Sequence, residues 1–136
     1  MATRAKVKRE RGGGRYTEAG YVSFIRGTLR KAWMRWAPNN DTKTAARLTR
    51  GIYECAGHNT EKHHVPASIK IDGKRHNNVF TDHIKPVVDP HVGFISWDSF
   101  IAGLFCEADN LQVLCKACHD TKTLEERAII KARKKA

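Results

Sequence analysis

Two ligand pairs of identical spacing, far apart in the chain, constrain this sequence more than any other feature. Cys55 and His58 close the stretch "CAGH", and Cys115 and Cys118 close "CKAC". Such a knuckle lets both side chains reach one ion while backbone amides fold around them. Together they make a Cys3His set suited to a tetrahedral, structural Zn2+ with no open position for water. That ion would pin the chain near residue 55 to the chain near 115 and add stability that a small domain needs. Cys106, His63 and His64 compete with His58 for the fourth position. Cys106 otherwise reads as a small buried residue. "CKACH" also matches the C-x-x-C-H of covalent haem attachment. That chemistry belongs to exported proteins, and only Met1 and Met34 are available as thioether ligands.

The thiols can bind metal only if they stay reduced. No apolar run is long enough to cross a bilayer. The first residues, "MATRAKVKRERGGGR", are basic but lack the apolar segment of a signal peptide. The expectation is an intracellular, cytoplasmic protein without a membrane partner, in a compartment where disulfides are rare. With 136 residues the chain can build an ordinary core. Its formal net charge of +11 favours a polyanion as partner.

Local signals divide the chain into a disordered basic arm over 1–16, a helical region over 17–52 and a third region over 53–136. Thr17 is a fitting cap for a helix running to about Trp36. Asp41 as N-cap and Gly51 past the end predict a second helix. "SIKIDGKR" alternates around Asp72-Gly73 and predicts a hairpin. A strand is expected over Val79–Val87, a helix capped by Ser96, a buried strand over 111–114, and a helix from Lys116 with Leu124, Ala128 and Ile129 inward. Trp33 and Trp36, at helical spacing, read as core rather than as base-stacking residues.

A second constellation lies outside the knuckles. "TDHIKP" puts Asp82 beside His83 at a strand end, Asn110 precedes the 111–114 strand, and His119 follows the last cysteine, with Lys122 one turn on. "DHIKP", "NLQVLC" and "CKACHDTK", in this order, resemble the HNH nuclease family over about residues 53–126. In the first knuckle the chain departs from the two C-x-x-C pairs of the zinc-holding subgroup. The layout is also similar to the small HNH proteins of tailed phages, which would place it in a host cytoplasm.

The resemblance implies an α+β fold: a ββα-metal (His-Me finger) core with a structural zinc site, preceded by N-terminal helices. It implies a metal-dependent DNA endonuclease. His83 would be the general base, because a neutral imidazole can take a water proton near neutral pH. Asp82 and His119 would hold one catalytic Mg2+ or Mn2+, leaving positions for water and phosphate. Asn110 would fix the loop carrying His83. Lys122 would contact a phosphate, with the bland alternative of a solvated lysine. Arg26, Arg30, Lys31 and Arg35 would give duplex affinity without sequence reading. Two rival readings remain: a zinc-held DNA-binding module without cleavage, and a junction-resolving nuclease. A monomer or weak dimer is expected.

Overall fold

In the computed structural model, which describes residues 6–136, the chain divides into two units. The first extends to Met34 and the second runs from Arg35. Among the described residues no helix is long and apolar enough to cross a membrane.

In the first unit α1 spans Glu18–Trp33, and the Thr17 hydroxyl accepts the Gly20 N–H at 3.0 Å. Residues 1–5 of the expected arm lie outside the described residues. From Arg11 the arm is not disordered, as composition suggested, but turned back by a bridge between Arg11 and Tyr16. Arg11 then pairs with Glu18 at 2.9 Å and lies 4.5 Å from the Tyr21 ring centroid. A charged segment thus finds its partners locally.

The second unit opens with α2, Ala37–Ala46, which begins earlier than Asp41 predicted. Pro38 sits in its first turn, where a missing N–H costs nothing. Its end is also earlier, because Arg47–Thr49 leaves the helix as strand β1. Gly51, at φ +78, turns β1 into β2 rather than ending a helix. β2 (Ile52–Cys55) pairs antiparallel with β1 and with β3 (His63–Pro66), a three-stranded sheet the sequence reading did not contain. β4 (Ser68–Ile71) and β5 (Lys74–Asn77) form the expected hairpin around Asp72-Gly73.

β6 (Val79–His83) pairs antiparallel with β7 (Leu111–Cys115), and α4 (Lys116–Lys135) follows β7 directly. β6 stops at His83, short of the expected Val87. The intervening segment carries α3 (Trp97–Leu104), whose Ser96 cap accepts the Ser99 N–H at 3.2 Å. Phe100 and Leu104 are its buried residues, whereas Ile101 is exposed. Trp36 is structural: its indole N–H donates to the Cys106 carbonyl at 2.8 Å and its ring meets Phe105 edge-on.

The core joins Val65, Val79, Val113 and Leu114 to Cys55, Cys115 and Cys118. Sulfur is therefore part of the packed interior. On α4 the buried residues are Cys118 and Lys122, while Leu124 and Ala128 face solvent, against expectation. The register of the helix is fixed by Cys118, and Leu124 falls on the other side.

Candidate metal centre and the end of strand β6

Backbone pairing assembles the first site. In the β2–β3 pair Cys55 stands directly opposite His63. The N–H of Ala56 reaches the Val113 carbonyl at 2.8 Å and draws the end of β2 against β7. Cys115 ends β7 and caps α4, and Cys118 lies in the first turn of that helix. The ligand atoms of Cys55, His63, Cys115 and Cys118 all fall within 4.8 Å of one another. Sulfurs in a tetrahedral zinc shell are about 3.8 Å apart, from a Zn–S distance of about 2.3 Å. This Cys3His group can hold one metal ion such as zinc.

Backbone amides converge on the sulfurs. Gly57 N–H donates to Cys55 Sγ at 3.4 Å and Cys115 N–H donates to the same sulfur at 3.2 Å. The Cys115 thiol is pushed up by burial, but the Cys118 amide, the His63 ring and the neighbouring thiols outweigh this and bring it to about 7. Burial takes Cys118 the other way, to about 11, against a hydrogen bond from the His58 amide. Negative charge is thus stabilised on part of the cluster and suppressed on the rest, the situation a bound cation relieves.

His63, and not His58, supplies the imidazole. Its Nδ1 donates to the Glu61 carbonyl at 3.0 Å, which leaves Nε2 facing Cys115 Sγ at 3.6 Å. Fixing one ring nitrogen on a carbonyl so that the other can ligate is the usual arrangement around metal-binding histidines. The His58 ring turns away to Glu125, Nε2 to Oε2 at 2.7 Å, and Asn59 donates to the same carboxylate at 2.5 Å. The reason is local. Gly57 holds φ +83, and a Cβ there would press on the Thr60 and Glu61 carbonyls. This tight loop sends the His58 side chain to α4 while its amide stays on Cys118. Cys106 lies outside the cluster and receives the Asn110 amide at 3.9 Å. The strand register that puts His63 across from Cys55 was the one signal for it, and β2 and β3 were not recognised in the sequence.

The second group sits where β6 ends. Alternation sends Asp82 to one face and His83 to the other. Asp82 pairs across the ladder with Gln112, whose amide donates to Oδ2 at 3.0 Å. Lys122 Nζ donates to the same Oδ2 at 2.5 Å, to the His83 carbonyl at 2.6 Å and to that of Ile84 at 3.3 Å. Lys122 is 9% exposed. It is therefore neither a phosphate contact nor a solvated lysine: its three donors are directed at protein oxygens. Gln112 and Lys122 thus share one carboxylate oxygen, Oδ2.

His119 stacks on Phe80, with centroids 5.1 Å apart, and Phe80 shares the Asp82 face of β6. Glu126 lies close by. Burial pushes its carboxyl up; Lys122, His119 and His58 pull it down, and Asp82 pushes it up. Residues 119, 122 and 126 share a helix face by spacing, which is the sequence signal for Glu126. Among the described residues, Asp82 and His119 form no group of three metal ligands like that around Cys55.

His83 Nε2 donates to the Leu104 carbonyl at 2.9 Å. Asn110 grips the next turn of chain. Its Oδ1 accepts the Lys85 N–H at 2.9 Å, its Nδ2 donates to the Lys85 carbonyl at 3.2 Å, and its own carbonyl accepts the Ile84 N–H at 2.8 Å. Arg26, Arg30 and Lys31 lie on α1, and Arg35 is exposed beyond its end. No family model, curated protein or solved structure matches this chain.

Proposed function

We propose that this protein is a metal-dependent DNA endonuclease of the HNH kind, with a structural zinc ion on Cys55, His63, Cys115 and Cys118. One observation carries the reading: the end of β6 is organised around the residues that the resemblance singles out. A single ammonium from α4, the helix bearing His119, holds the Asp82 carboxylate and the His83 carbonyl. Asn110 clamps Lys85 through both backbone atoms, two residues past His83. The order of the two strands and the helix along the chain supports the reading.

His83 acts as general base in this reading. Its Nε2–H is engaged by the Leu104 carbonyl, so Nδ1 is the atom that takes a proton from the attacking water. The contact also orients the ring. Asp82 and His119 would hold the divalent ion, Mg2+ or Mn2+, which when bound polarises the phosphate and stabilises the leaving oxygen. The donor chemistry fits, a carboxylate oxygen and an imidazole on one face of the sheet; His83, the last residue of β6, serves the same ion only if the strand end turns its ring toward that face. Lys122 and Gln112 orient Asp82, as outer partners commonly orient ligating carboxylates. The basic balance of the chain supplies affinity for duplex DNA.

A zinc-held DNA-binding module without cleavage is favoured by one specific observation: Asp82 already carries a cationic neighbour in Lys122. The two readings separate on supercoiled plasmid incubated with Mg2+, with Mn2+, or with no added ion. The nuclease reading expects relaxed or linear product only with the ion. His83→Ala should lower the rate by about 10²–10⁴-fold, with zinc content and DNA binding unchanged. Plasmid left intact under every condition would leave the binding module as the better description.

A further inference from the structure

We propose that the β4–β5 hairpin is a duplex-DNA contact element, with Lys70, Lys74 and Arg75 meeting phosphates along the major groove. The inference rests on the nuclease reading in taking DNA as the polyanion, and it names the surface that receives it. All four residues of β5 are exposed, as are Lys70 and Ile71 of β4. The register sets Lys70 directly opposite Arg75, and Ile71 opposite Lys74. Directly opposed like charges destabilise a strand pair. Among the described residues no carboxylate lies within 4.0 Å of Lys70, Lys74 or Arg75 to relieve them. The one acid of the hairpin, Asp72, lies in its turn and pairs with none of the three.

An isolated pair of strands is marginal in water, so the repulsion must be tolerated by other devices. Asp72 at φ +50 and Gly73 at φ +78 make the two-residue turn whose twist suits a hairpin. Asn78, 6% exposed, anchors the base: its N–H donates to Ala67 O at 3.0 Å and its Nδ2 to Pro66 O at 2.9 Å. The first N–H of α4, from Lys116, returns to Asn78 O at 3.1 Å. The ribbon is thus held against the start of the helix carrying His119, with its unpaired cations projecting into solvent. A row of phosphates supplies the missing counter-charge. A two-stranded ribbon enters the major groove of B-form DNA, whereas the A-form major groove is too narrow and deep for side chains to read.

The test is equilibrium binding of the full chain to a labelled duplex of about 20 base pairs, with no added divalent ion, over a series of salt concentrations. The comparison is with the triple variant Lys70→Ala, Lys74→Ala, Arg75→Ala, with zinc content as the folding control. Affinity is expected to fall about tenfold or more, and the log–log salt slope to become shallower by about two to three. The charge-preserving triple Lys70→Arg, Lys74→Arg, Arg75→Lys should restore both. Unchanged affinity and slope, in a chain that still cleaves plasmid, would overturn the hairpin assignment alone. Equal losses on an RNA duplex of the same sequence would overturn the groove assignment. Absence of duplex binding by the unaltered chain would overturn the nuclease reading and this inference together.

Discussion

The sulfur cluster and the end of β6 are built from similar residue types but by opposite means. Around Cys55 the backbone does the placing. Strand register sets His63 across from Cys55, and main-chain N–H groups point at the sulfurs. Around Asp82 a side chain does the placing: one buried ammonium, Lys122, ties the carboxylate to two carbonyls. The first arrangement brings four ligand atoms within reach of one ion and closes them off. The second leaves its groups separate, with a carboxylate oxygen and an imidazole still to be joined. A closed set of ligands suits a site that holds the fold, and the open arrangement is the one that the proposed cleavage would need.

The largest expected effect falls on the closed site. Cys115→Ser or His63→Ala should leave less than one zinc per chain and a protein that is largely unfolded. Zinc binding and folding are one process in small metal-held domains, at about 10–16 kcal/mol of apparent binding energy. Metal analysis of purified protein and far-ultraviolet circular dichroism check this. The acid side is sharper still. The Cys118 thiol, raised by burial and its thiol neighbours to about 11, is protonated at neutral pH without metal. Zinc must displace that proton, so affinity should fall as pH falls. Full zinc and normal folding in His63→Ala would break the contrast between the two sites at its first term.

Lys122→Met comes next. The Lys122 and Asp82 side chains are 11% and 14% exposed, so solvent screens the pair little. Removing one partner strands a carboxylate and two carbonyls, at a cost of about 3–5 kcal/mol. Thermal unfolding should drop by roughly 10–20 °C, with zinc content held at one per chain. Replacing both partners, Lys122→Met with Asp82→Asn, should recover much of the loss, because no charge is then left buried. Recovery of stability without recovery of cleavage would separate the structural part of the corner from the chemical part. An unchanged melting temperature in the single variant would show that the ammonium organises nothing.

The same contrast explains what could be read from the sequence. The C-x-x-C pair, the Asp72-Gly73 turn, the Ser96 cap and the helix from Lys116 are local signals, and each is found where spacing and capping chemistry put it. The three cysteine ligands were legible for the same reason. His63 was only one of several candidates, because its place depends on how β2 pairs with β3, and short half-buried strands carry little periodicity. Lys122 misled for a related reason. Beside Glu125 and Glu126 it has the company of a surface lysine, and only the pairing of β6 with β7 brings Asp82 beneath it. Residues 11–16, read as disordered from their charge, are ordered by a bridge and by a single ion pair with Glu18. Nothing in composition reports such a partner.

The smallest effect decides between two neighbouring histidines. His58 keeps the spacing of a zinc ligand, and its amide does serve the cluster, but its ring is bonded to Glu125 at 2.7 Å. The two side chains are 20% and 46% exposed, a partly solvated pair worth about 1 kcal/mol or less. His58→Ala removes only the ring and keeps the amide that faces Cys118. It should therefore hold one zinc per chain and melt within a few degrees of the parent. A ligand histidine could not be lost so cheaply, since the fourth position would then open to water. Zinc loss in His58→Ala with zinc retained in His63→Ala would exchange the roles of the two rings, and would show that the 56–62 loop turns over when metal binds.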